Sequence, residues 1–182
     1  MVAKTSFETR PCPIARSLDD VGEWWSILLL RDAFQGLTRF DQFQKSLGIA
    51  PNMLTRRLNA LVASGLLERR RYNEHPPRDE YVLTARGRDF RMVTVALLTW
   101  GNRHFAPEGA SVMLVDAQSR VPVDPVLVDR KTGQAITEAD HRYVAGPAAG
   151  ARVRKRYEPI PPEPKLAEPK ARRRTIRARG MP

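Results

Sequence analysis

Asn52, Arg56 and Asn59 are the residues of this sequence whose types and spacing best suit chemistry on another molecule. With Leu54 at zero on a helical wheel of about 100° per residue, Leu58, Leu61 and Val62 fall within about 80° of it. Asn52, Arg56 and Asn59 point to roughly the opposite side. Asn and Arg can pair bidentately with the adenine and guanine edges exposed in a major groove. Ala60 and Ala63 share that side and are small enough to let a large partner approach, while Thr55 and Arg57 flank it and suit phosphates. An isolated amphipathic helix is more often plain solvated surface, so its neighbours decide. Other chemistries find little support. One cysteine, Cys12, excludes an internal disulfide framework and a Cys cluster for zinc, and the three histidines, His75, His104 and His141, are scattered. With no His suitably spaced from Cys12, no glycine-rich phosphate loop and no carboxylate constellation, neither catalytic residues nor a metal or cofactor is expected.

The elements around that helix give it a context. Phe40, Phe43 and Leu47 lie on one face of a short helix, Gly48 permits a sharp turn, and Pro51 can open the next helix because a first-turn N–H has no partner anyway. This is the pattern of a helix-turn-helix. After Gly65 the period changes: residues 66–72 and 79–83 flank a tip, 73–78, that holds Pro76 and Pro77. A hairpin directly after such a helix is the wing of a winged helix. Arg70 and Arg78 on the wing would reach the backbone or minor groove, and Arg39 would contact phosphate.

Ile14, Leu18 and Val21 predict a first helix from Pro13 to Gly22, and the apolar run 24–30 predicts a central one. Thr84 caps a predicted long helix to about Phe105. Its stripe of Phe90, Val93, Leu97, Trp100 and His104, widened by Met92, Val95, Ala96 and Thr99, suits packing against a second copy. Runs 112–115 and 125–128 predict a small β-meander with a turn at Thr132-Gly133; no internal repeat is read. The expected fold is mainly α with a small β wing. It comprises an arm over 1–11, a winged helix-turn-helix domain over 12–106, a β-rich extension over 107–146 and a disordered Pro/Arg-rich basic tail over 147–182. Of the net charge of +11, residues 151–182 supply +8, with 11 Lys and Arg against 3 acids.

Together, Cys12-Pro13-Ile14-Ala15, Gly22-Glu23-Trp24, Arg39-Phe40, Pro51-Asn52-Met53-Leu54, Leu58 through Arg69, Pro76-Pro77-Arg78 before Tyr81, and Leu83-Thr84 with Gly87 resemble the HxlR-type winged helix-turn-helix transcriptional regulators of bacteria. The resemblance covers about residues 11–100. It implies a homodimeric DNA-binding repressor or activator without catalytic activity, some of whose relatives sense oxidants or electrophiles through a cysteine placed as Cys12 is. The helix N-terminus beside Cys12 favours a thiolate, although Pro13 contributes no amide. Two positions depart from the pattern: Glu23 stands where a basic residue is usual, and Ala50 where a Ser often caps the recognition helix.

The expected function is therefore sequence-specific regulation by a homodimer on a pseudo-palindromic double-stranded operator, with a small-molecule or oxidant effector possible. An alternative is a nucleoid-associated protein whose tail binds DNA without regard to sequence. No apolar run approaches a membrane span and no export signal is evident, so a cytoplasmic protein of the nucleoid is expected.

Overall fold

A computed structural model describes residues 6, 7 and 9–157. The chain divides into two compact units, Met1–Arg142 and Tyr143–Pro182. In the first, α1 (Pro13–Val21) has Cys12 at its N-cap position and Pro13 in its first turn, and ends at Gly22. A Cβ at Gly22 would lie 2.3 Å from the Leu18 carbonyl oxygen, so only glycine closes that end. The apolar helix α2 (Trp24–Phe34) follows and passes through the core, with Leu29 and Leu30 fully buried.

Next come α3 (Phe40–Leu47) and α4 (Pro51–Ala63), joined through Gly48 at φ 60°. Ahead of α3, the Gln42 side chain reaches back to accept from the amides of Thr38 and Arg39, each at 3.0 Å. These amides face no earlier carbonyl of a helix, so Gln42 supplies the missing acceptor. Phe43 and the Leu54, Leu58 and Leu61 side chains of α4 are fully buried against α2, as the wheel predicts. Truncating any of these leucines to Ala would cost about 2–5 kcal/mol.

The wing is the antiparallel pair β1 (Leu67–Glu74) and β2 (Pro77–Leu83). Its turn is tighter than the expected six-residue tip, since Pro77 and Arg78 already belong to β2. Register slips between Arg71 and Asn73, leaving Tyr72 as an extra residue on β1; such a bulge re-aims a side chain. On the other side of β2, Thr38 O accepts from Tyr81 N at 2.7 Å and Arg39 bridges Glu80, which ties the hairpin to the start of α3.

The predicted long helix is instead two, α5 (Ala85–Asp89) and α6 (Arg91–His104). The reason lies at the base of the wing. Thr84 Oγ1 donates to Gly65 O at 2.6 Å and accepts from Gly87 N at 3.0 Å, and a Cβ at Gly87 would lie 2.0 Å from Leu66 O. Arg86 adds bonds to Ser64 O at 2.7 Å and to Asp20 at 2.9 Å. So α5 is held at the end of α4, α6 contacts α2, and the helix assignment is interrupted at Phe90, which packs on the core.

The extension after α6 is not a meander of paired runs. Each run folds back on the residues just after it, in two isolated bridges, Val115↔Pro122 and Val128↔Ala135. The two turns are copies 13 residues apart, which corrects the reading that the sequence has no repeat. Asp116 accepts from the amides of Gln118 and Ser119, Asp129 from that of Lys131, and the αL position is Arg120 in one copy and Gly133 in the other. These bonds to the charged form hold both carboxyls below the usual carboxylate range, with the Ser119 amide foremost at Asp116 and the Lys131 amide at Asp129.

In the second unit, Ala151–Arg156 forms a short helix, α7, inside the stretch expected to lack structure. The rest of the predicted tail, and most of the arm, lie outside the described residues.

Candidate nucleic-acid interface

Asn52, Thr55, Arg56, Asn59, Ala60 and Ala63 are all exposed along one side of α4. Their exposure follows from the four-leucine spacing that buries the other side. Thr55 donates its hydroxyl to Pro51 O one turn back at 3.0 Å and keeps its lone pairs outward. Among the described residues Arg56 has no hydrogen bond or ion pair, so its five donors face solvent. Asn59 is differently placed: its Oδ1 accepts from Arg69 at 3.0 Å, which joins the helix to the wing.

Arg57 does not belong to this surface. It is buried, 8% exposed, and its guanidinium lies 2.9 Å from Glu23 at the start of α2. On the wheel Arg57 stands about 60° from Leu54, on the core side, and a cation there needs an anion. Glu23, the acidic departure noted in the sequence, provides it. In this geometry Arg57 is committed to Glu23 and stands apart from the exposed side of α4.

The remaining predicted cations occupy the rim. Arg39 lies with its guanidinium 4.6 Å from the ring centroid of Tyr72, the residue pushed out by the bulge. Such a stack is worth about 0.5–1 kcal/mol at an exposed site and leaves the guanidinium edge available. Arg70 is paired to Glu68, whereas Arg78 has no ionic partner among the described residues. Sequence reasoning missed two residues here. Arg69 bonds Asn59 and Tyr81 and lies 3.8 Å from Asp79, and Arg71 bonds Asp79 at 2.6 Å, which raises its pKa. The alternation of Arg69-Arg70-Arg71 with Asp79-Glu80 across a hairpin signals such pairing. The wing is thus largely self-neutralised, and Arg78 is its one cation free of an ionic partner among the described residues.

The apolar stripe of α6 is exposed: Met92, Val93, Leu97, Trp100 and the C-cap Phe105 are each at least 40% accessible, as are Ile14, Leu18 and Trp24. Cys12 is exposed at the head of α1. No helix among the described residues is long and apolar enough to cross a membrane.

Known proteins place this geometry in a wider group. Residues 20–109 match the family described as HxlR-like helix-turn-helix. A protein of Mycobacterium tuberculosis, named only as an HTH-type transcriptional regulator, is 38% identical over 141 residues, 77% of this chain and 89% of its own. A Synechocystis protein of the same description is 38% identical over 118 residues, covering 64% of this chain and 87% of its own. Among solved structures, a candidate transcription factor of Pseudomonas aeruginosa is 55% identical, with a TM-score of 0.58 over 80% of this chain and 99% of its own. A second solved structure, also described as a candidate transcription factor, is 41% identical, with a TM-score of 0.69 over 76% of this chain and 98% of its own.

Proposed function

Starting from the chain's membership of the HxlR-like helix-turn-helix family, to which it belongs, we propose that it is a homodimeric, sequence-specific DNA-binding regulator of transcription. One observation carries this reading: the exposed side of α4 presents Asn52 and Arg56, the latter without a partner among the described residues, beside two alanines and opposite a fully buried leucine face. The α4 helix enters the major groove, Asn52 and Arg56 read base edges, and Arg39, Thr55 and Arg78 contact the backbone or the adjacent minor groove. Asn59 stands at the margin, where Arg69 holds it, and Arg70 joins only by releasing Glu68.

The exposed apolar stripe of α6, with Ile14 and Leu18 of α1, supports a two-fold dimer. Two recognition helices then read half-sites of a pseudo-palindrome about 10–10.5 bp apart, or a multiple of this. The chain divides functionally into the winged helix-turn-helix over 12–106, the extension over 107–146 and the basic tail from 147. Its place of action is the nucleoid of the cytoplasm. Cys12, exposed at a helix start, is the candidate thiol through which an oxidant or electrophile would act.

The deciding experiment is a gel-shift comparison of operator and random DNA. Arg56→Ala should lose about 1–3 kcal/mol of discrimination while its fold is unchanged, and full retention of the specific-to-nonspecific ratio would refute the assignment of α4. The charge concentrated beyond residue 150 favours a second reading, an architectural protein whose tail binds without regard to sequence. Deleting 151–182 would then flatten the salt dependence of binding to all DNA alike.

A further inference from the structure

Helix α6 has two faces. Val93, Leu97, Trp100 and His104 form the exposed stripe, while Arg91, Val95, Leu98 and Asn102 lie roughly 150° around the helix. This second face, with Thr94 and Leu97 at its margin, lines together with α2 and residues 111–114 of the extension a cavity of about 640 Å³ that is open to solvent along one side. That volume lies within the range of about 300–1,000 Å³ of small-molecule sites. Its walls are mostly apolar, with Phe34 and Ile27 on one side, Leu98 and Val95 on another, and Val112 and Met113 on the third. Asn102 Nδ2 donates to Val112 O at 2.9 Å and so fixes the extension as a wall.

Charge in this cavity is one-sided. Among the described residues, two guanidiniums and no carboxylate line it. Arg31 is committed, with Nε and Nη2 at 2.9 and 2.7 Å from Asp32 Oδ1. The Arg91 guanidinium has no ion pair or hydrogen bond among the described residues, and it lies 5.9 Å from the Phe34 ring centroid. A neutral apolar occupant would take water from Arg91 and return no acceptor, whereas an anion would compensate it through charge-assisted hydrogen bonds. A dianion would find no second uncommitted cation. We propose that this cavity binds a small, predominantly apolar monocarboxylate, its body between Phe34, Leu98 and Val112 and its carboxylate on Arg91. The stripe assigned to a second copy is centred on the other side of α6, and Leu97 alone belongs both to it and to the rim of the cavity. Use of the site to regulate DNA binding rests on the function proposed above; binding itself does not, and is tested without DNA.

The probes are 2-naphthoate and its neutral counterpart 2-naphthalenemethanol, titrated calorimetrically into the full chain. Wild type should bind the acid saturably, one per chain, at least about tenfold more tightly than the alcohol. Arg91→Gln changes an exposed side chain and keeps the fold, and should bring the acid to the level of the alcohol. Leu98→Trp fills the cavity and should abolish binding of both; should it fail to fold, Val112→Trp fills it from the extension. Absence of saturable binding, equal wild-type affinities for the two probes, an acid preference that survives Arg91→Gln, or wild-type affinity in a folded cavity-filled variant would each overturn the proposal.

Discussion

Replacing Glu23 by Gln and Arg57 by Met, singly and together, separates two roles that an arginine on a recognition helix can have. Arg57 is 9% exposed by its side chain and Glu23 36%, so the two ends of the pair meet different solvents. Breaking a fully buried pair costs about 3–5 kcal/mol, chiefly because one charge is left uncompensated. Here the cost depends on which charge remains. With Glu23→Gln the buried guanidinium loses its counter-ion, and its Nε already lacks a partner, so about 2–3 kcal/mol is expected. With Arg57→Met the remaining carboxylate is exposed enough for water to solvate it, and Met fills the apolar path of the side chain. That change should cost about 1 kcal/mol or less. The double variant should lie near the Arg57→Met value, since the methionine no longer needs an anion. Urea unfolding of all four proteins measures this, and operator affinity is read alongside. Arg57→Met that keeps its stability but loses operator discrimination would refute the structural role and return Arg57 to the DNA surface.

Three further outcomes are expected. Gly87→Ala places a Cβ 2.0 Å from Leu66 O, a backbone atom that cannot swing aside, so the variant should lose several kcal/mol of stability or fail to fold; an unchanged urea midpoint would show that the joint is loose. Trp100→Glu puts a charge on the exposed stripe and should yield monomers in sedimentation at micromolar concentration with a normal helical spectrum, and a dimer that persists would move the interface elsewhere. The carboxyls of Asp116 and Asp129 are held below the usual range of about 3.9, so the turns they organise should be fully favoured above that value and released as pH falls through the lowered one. Titration of the Ser119 and Lys131 amide resonances at or above the ordinary carboxylate midpoint would contradict this.

The helices that carry α4 were legible in the sequence because punctuation and periodicity agree there. Pro13 and Gly22 bound α1, and Gly48 and Pro51 frame the turn before a helix whose leucines recur at three and four. The burial of Arg57 was not legible from residue type: its wheel angle of about 60° from Leu54 is nearer the core than the groove, and a distant glutamate makes burial tolerable. The break at Phe90 left no mark in the periodicity, since α5 and α6 both continue a helical pattern and α5 is held separately by long-range contacts of Thr84, Arg86 and Gly87 with residues 64–66. In the extension, the Val-Asp and Ser/Thr positions recur at 13 residues, but two copies with a glycine in only one are faint. Their hydrogen bonds, and not their composition, make the likeness plain. Among the sites, exposure of Asn52 and Arg56 follows from the sequence alone, whereas self-neutralisation of the wing depends on a register that a bulge shifts.

The joint at residues 64–66 has a mechanical consequence. The carbonyl groups at the end of α4 are the ones that hold α5, through Arg86, Thr84 and the close approach of Gly87, so no slack separates the recognition helix from the segment leading into α6. The α4 helix spans 13 residues, about 20 Å at 1.5 Å per residue. Pivoting it by roughly 10° at that end carries Asn52, near the other end, by about 3.4 Å, which is one base-pair step along a duplex. In a dimer built on α6, rolling of about 10° between subunits would thus be passed on as a change of reading frame on DNA, and the stiffness of a single glycine contact sets how faithfully it is transmitted.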